Sequence, residues 1–169
     1  AVLYELLKKG NKWKWTEEHR GKFDELKGIL TSSTTLAHYN PSLPMIVYTD
    51  ASEKGVGGVL CHRYQDNTER PIAYTSRVLS ISEQKYSVID REALAIVHTV
   101  RKFERYLYGR KFILRTDHKP LTYIFGDKAE LPKVAMCRVS RWALMLAEFD
   151  FAIEFIPGKE NSPADVLSR

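Results

Sequence analysis

Cysteine is scarce in this chain: Cys61 and Cys137 are the only two among 169 residues, each inside an apolar segment and without CxxC or His-Cys spacing. That excludes a disulfide framework and a thiolate zinc site, and it reads as two buried free thiols in a reducing, intracellular setting. Long apolar runs are missing as well. The longest, Trp142 to Ala147, falls far short of the roughly 20 residues that a membrane-spanning helix needs. No low-complexity tract, no repeat of solenoid length and no targeting leader is visible. The chain opens without Met on Ala1-Val2-Leu3-Tyr4-Glu5-Leu6-Leu7, as if inside an element, so it is expected to be a piece of a longer polypeptide.

What is present suits one globular domain with a short appendage: 44% hydrophobic and 28% charged residues, on a chain long enough to bury a core without staples. The net charge of +5 is modest but uneven. From Arg101 to Arg141 there are eleven Lys and Arg against four acids. Such a stretch favours a polyanion, with solvated helix faces as the ordinary alternative.

Residues 1–42 differ in character from 43–169, which places a domain boundary near residue 43. Lys8 to Trp15 is a basic, aromatic turn containing Trp13 and Trp15, and Thr16-Glu17-Glu18 then caps a helix whose apolar positions are Phe23, Leu26 and Leu30. Ser32 to Thr35 and Asn40-Pro41-Ser42-Leu43-Pro44 break it. Beyond the boundary, Met45–Thr49, Gly57–Arg63 and Arg70–Thr75 predict an antiparallel meander. Ile89, Ala93, Ile96, Val100, Phe103 and Leu107 then form one helical stripe ended by Gly109. Lys111–Thr116 predicts a fourth strand. Helical patterns follow Pro120 and Pro132, Phe151–Ile156 is a fifth strand, and Pro163–Ser168 starts a last helix.

Strands one and four end alike, on Thr49-Asp50 and Thr116-Asp117. Two hairpins followed by a right-handed helical crossover make these strands parallel, so both Asp residues lie at the carboxyl end, where open α/β sheets build their sites. Capping of the following turns is the structural alternative. On the helix, Arg91 is expected to face solvent, while Asp90 and Glu92 sit on opposite margins of the apolar stripe, and periodicity does not choose between them.

Four ordered blocks carry a resemblance: Met45 to Ser52, Asp90 to Val97, Thr116 to Leu121 and Asn161 to Arg169. They resemble the RNase H domain of gypsy-type LTR-retrotransposon reverse transcriptases, and Trp15 to Lys27 resembles the segment that joins polymerase to RNase H there. The likeness implies an α/β RNase H-like fold, a five-stranded mixed sheet in order 3-2-1-4-5 flanked by helices. It also implies that Asp50, Glu92, Asp117 and Asp165, spaced by 42, 25 and 48 residues, are the carboxylates that hold two Mg²⁺ ions, for which Mn²⁺ can substitute. Glu92 is thereby preferred to Asp90.

The activity implied is a metal-dependent endoribonuclease that cuts the RNA strand of RNA–DNA hybrids during reverse transcription, leaving 3′-hydroxyl and 5′-phosphate ends. The rival reading is a non-catalytic connector that only holds nucleic acid. Implied partners are the hybrid and the polymerase domain of the same polyprotein, with no membrane, in the cytoplasm within virus-like particles. Ser52, Arg138, Arg141 and Asn161 are the expected substrate contacts, Asn161 having turn formation as its alternative. Two features depart from cellular RNases H: Phe155 to Asp165 contains no His, and Val88 and Ile89 stand where those enzymes carry Asn. His118 is expected to fix the turn after Asp117.

Overall fold

Six consecutive buried residues, Met45 to Asp50, set the architecture, because a strand enclosed on both faces belongs at the centre of a sheet. In the computed structural model this strand, β1 (Met45–Ala51), is central in the order β3-β2-β1-β4-β5. β2 (Gly55–Arg63) and β3 (Glu69–Val78) pair antiparallel beside it, and β4 (Phe112–Thr116) and β5 (Phe151–Phe155) pair parallel. The expected topology is therefore the observed one. The structure describes residues 3, 6, 12–31, 36–126 and 137–168. Lys8 to Asn11, the Ser32–Thr35 break, Lys128, Lys133, the start of the helix expected after Pro132, the Cys137 side chain and Arg169 lie outside the described residues.

The chain divides into two units, Ala1–Ala37 and His38–Arg169, each described by itself. In the first, α1 (Glu17–Thr31) begins with two acids that complement the helix dipole. The Thr16 hydroxyl engages the His19 ring, and Trp15 stacks on Trp13 and meets the edge of Phe23.

In the second unit, α2 (Val88–Lys102) starts at Ser87, whose hydroxyl accepts the Asp90 amide, and ends on Arg101 and Lys102. The stripe expected to run unbroken to Leu107 divides at Phe103, where the backbone leaves helical geometry and buries the ring; α3 (Glu104–Leu107) then buries Leu107. Gly109, at φ +70°, ends the run as expected. Two short helices follow, α4 (Pro120–Phe125) and α5 (Cys137–Leu146), and the last is α6 (Ser162–Ser168).

Alternation along the strands splits the core. Met45, Val47, Leu60 and Leu114 pack with Ile96, Val100, Leu121 and Val139 on one face. Ile46, Tyr48, Val59 and Cys61 pack with Ile156 and Ala164 on the other. Glycines in β2 permit close approach on both sides: a Cβ at Gly58 would lie 2.2 Å from Thr99 Oγ1, and one at Gly57 would lie 2.8 Å from Ala164 O on α6. Among the described residues no helix is long and apolar enough to cross a membrane.

Candidate functional site

The register Tyr48↔Arg115, continued by two residues, sets Asp50 beside Asp117 at the carboxyl end of the parallel pair. The two endings are not identical, however. Asp50 is still within β1, paired with Gly57, whereas Asp117 lies just past β4. The difference comes from the tight Ser52–Lys54 turn, which lets the β1–β2 ladder continue to Ala51.

Glu92, in the second turn of α2, points over this end of the sheet. Asp50, Glu92 and Asp117 each place a carboxylate oxygen within 4.8 Å of the others. Asp50 and Glu92 are each only 6% exposed. Asp165, half-buried on α6, lines the same cleft from the opposite side of the sheet. Asp90 stands apart, bonded to the Ser87 hydroxyl and facing Arg138 at 3.5 Å. The ambiguity left by periodicity is thus resolved by packing, with Glu92 inside the cluster and Asp90 outside it.

Arg91 corrects an expectation. It lines the acidic cleft, half-buried, instead of facing bulk solvent. It stands at the start of α2, where the helix flank borders the open end of the sheet and a long side chain reaches the cleft.

Electrostatics follow from this crowding. Burial, then the charges of Asp50 and Asp117, push the Glu92 carboxyl up to about 9, while the Ala51 amide and Arg91 pull the other way. Asp117 is also raised, first by burial, with Asp165 adding to it and its own amide and His118 opposing. Glu92 Oε2 is buried and accepts no hydrogen bond. A buried acceptor without a donor, amid like charges, is an arrangement that a cation relieves. The donors are all carboxylate oxygens, with no His or Cys in the cluster, which fits hard divalent ions such as Mg²⁺ or Mn²⁺ better than zinc.

The remaining candidates are spread out. Ser52 closes the turn after β1, accepting the Lys54 and Gly55 amides at 3.0 Å each. Asn161 is fully buried, and its amide donates to Thr49 O at 2.9 Å, tying the segment before α6 to β1. Arg138 lies 3.8 Å over the Tyr86 ring, beside a depression lined by Ser80, Ser82 and Ser87. Arg141 is exposed on α5. The His118 amide donates to Thr116 Oγ1 at 3.2 Å within the turn, and burial holds its ring below the usual histidine range. Sequence reasoning missed Arg91 and Ser168 as cleft residues. Ser168 had a visible signal, since it follows Asp165 by three on the same helix face.

A family model described as the RNase H-like domain found in reverse transcriptase matches residues 40–149. The Transposon Tf2-3 polyprotein of Schizosaccharomyces pombe is 36% identical over 169 residues, covering 99% of this chain and 12% of the polyprotein. The Tf2-4 polyprotein of the same organism matches equally. The chain thus spans about 12% of the length of these relatives. A foamy viral protease-reverse transcriptase in complex with double-stranded DNA superposes with TM-score 0.62 at 18% identity, over 90% of this chain and 29% of that one. LC11-RNase H1 in complex with an RNA/DNA hybrid gives 0.57 at 16% identity, over 73% of this chain and 92% of that one. At such identities the likeness is one of fold.

Proposed function

This chain belongs to the RNase H-like domains of retrotransposon reverse transcriptases and has the RNase H fold, and from that premise we propose that it is a metal-dependent endoribonuclease acting on the RNA strand of RNA–DNA hybrids. The observation that carries the reading is the convergence of Asp50, Glu92 and Asp117 within 4.8 Å, with Asp165 across the cleft. A module that only holds nucleic acid has no use for so costly a cluster. Residues 1–42 are the segment leading in from the polymerase part and 43–169 the nuclease domain. The expected setting is the cytoplasm, within virus-like particles, with the hybrid and the polymerase domain as partners.

The four carboxylates would hold two Mg²⁺ ions, with Mn²⁺ able to replace them, and bound ions of this kind activate water and stabilise charge on attacking and leaving oxygens of a phosphodiester. Each residue has its own part in this. Asp50, on a central strand, and Asp117, beside it, supply fixed oxygens at the sheet end. Glu92, its carboxyl pushed up to about 9 by burial and by the charges of Asp50 and Asp117, would offer its oxygens to the ions from α2. Arg91, the cation lining the cleft, offers N–H donors to a phosphate of the bound strand. Arg138 and Arg141, on α5, grip the duplex by its phosphates. Ser52 and Asn161 act on substrate through the backbone they hold at the end of β1.

The test is direct. A labelled RNA–DNA hybrid incubated with the chain should yield shorter RNA with 3′-hydroxyl ends when Mg²⁺ is present and remain intact in EDTA. Binding of the hybrid without Mg²⁺-dependent cleavage, even after the polymerase part is supplied, would establish the connector reading instead.

A further inference from the structure

α6 carries more than Asp165. Ser168, one turn on and 1% exposed, reaches across to β1, where its hydroxyl lies 2.5 Å from Asp50 Oδ2 and 3.0 Å from the Asp165 carbonyl. A hydroxyl has one proton to donate, and the nearer of the two acceptors, the Asp50 side-chain oxygen, takes it. The Ser168 carbonyl in turn accepts the Ser52 hydroxyl at 2.5 Å, while Ser52 Oγ accepts the Lys54 and Gly55 amides. The turn after β1 therefore grips the end of α6, and the end of α6 grips the carboxylate on β1. Gly55 allows this approach, since a Cβ there would stand 2.7 Å from Ser168 O.

A second serine shows what a purely anchoring contact looks like. The Ser76 hydroxyl, on β3, donates to Leu167 O at 2.6 Å and so ties α6 to the sheet. It lies outside the carboxylate cleft.

We propose that Ser168 is a positioning residue for Asp50, setting the plane of that carboxylate before a divalent cation binds. The proposal rests on the reading of Asp50 as a cation ligand. A carboxylate already held in place loses less torsional freedom on binding, and hydrogen bonds to ligating groups characteristically tune affinity by about 10–100-fold.

The experiment compares wild type, Ser168→Ala and Ser76→Ala by calorimetric Mn²⁺ titration, by melting in EDTA and by hybrid cleavage across Mn²⁺ concentrations. Ser168→Ala should weaken Mn²⁺ binding about tenfold and lose cleavage that excess Mn²⁺ restores. Ser76→Ala should bind Mn²⁺ as wild type does, although both variants melt earlier in EDTA. If Ser168→Ala does not fold, Ser168→Cys, similar in size but a weaker donor, should show a smaller loss of affinity in the same direction. Unchanged affinity in the Ser168 variants, or an equal loss in Ser76→Ala, overturns the proposal and leaves Ser168 as an anchor of α6. A wild type that takes up no Mn²⁺ at all overturns the metal reading of Asp50, and the proposal with it.

Discussion

Replacing Glu92 by Gln should make the metal-free protein more stable at neutral pH. Glu92 is 6% exposed and its carboxyl is pushed up to about 9 from an ordinary 4.5, by burial first and by Asp50 and Asp117 after it. A carboxyl raised in this way favours the fold fully below about pH 4.5, and the contribution is lost as pH rises toward 9. At pH 7 the unfolded chain is already ionised while the folded one must stay protonated, at about 1.4 kcal/mol per pH unit above the ordinary value. The native state is thereby disfavoured by roughly 3 kcal/mol. Gln mimics the protonated acid and does not titrate, so the variant should melt on the order of 10 °C higher in EDTA at pH 7. Near pH 4 the two curves should coincide. Millimolar Mg²⁺ should narrow the gap by stabilising wild type more than the variant. Differential scanning calorimetry at pH 4, 5.5, 7 and 8.5, with EDTA or Mg²⁺, measures all of this. A variant no more stable than wild type at pH 7 in EDTA, or a gain that persists undiminished at pH 4, would refute the argument from like-charge crowding.

Asp50→Asn and Asp117→Asn should each abolish hybrid cleavage while gel-shift affinity stays near wild type, because neither touches the basic surface; loss of binding along with cleavage would contradict this. Asp90→Asn should cleave normally, since Asp90 pairs with Ser87 and Arg138 away from the cluster, and an inactive Asp90→Asn protein would move the site. Arg138→Ala combined with Arg141→Ala should flatten the dependence of hybrid affinity on salt, as fewer counterions are released; an unchanged slope places the duplex on another face. Gly57→Ala should lose on the order of 2 kcal/mol or more in urea unfolding, because its Cβ meets the α6 backbone at 2.8 Å, and an unchanged midpoint would mean that α6 gives way freely.

The sheet was legible because its signals are local. Alternation, tight turns and the change to helical period fix five strands and one crossover, and make strands one and four parallel, while the full order 3-2-1-4-5 is what the family resemblance implies. Asp50 and Asp117 were legible for the same reason. Glu92 was not legible from periodicity, since Asp90 and Glu92 are symmetric about the stripe; the family resemblance preferred it, and the position of α2 over the sheet sets it inside the cluster. Arg91 was misread because periodicity sorts residues into apolar and polar sides of a helix and says nothing of a cleft bordering the polar side. Ser168 could not be assigned to Asp50 because 118 residues separate the two, and the contact needs the glycines of β2 to let α6 approach.

α6 is held in a different manner from the rest of the domain. It buries Ala164 and half-buries Leu167, while Val166 is 73% exposed, and much of its attachment is polar: Ser52, Ser76 and Ser168 on its last turn, with Asn161 just before it. The sheet and α2, by contrast, share a continuous apolar core. Short polar attachments open at lower free energy than such a core. On heating or in mild denaturant, α6 should therefore lift while the sheet is still intact, taking Asp165 away from the other three acids. Inactivation should precede unfolding, and it should reverse on cooling for as long as the sheet itself has not melted.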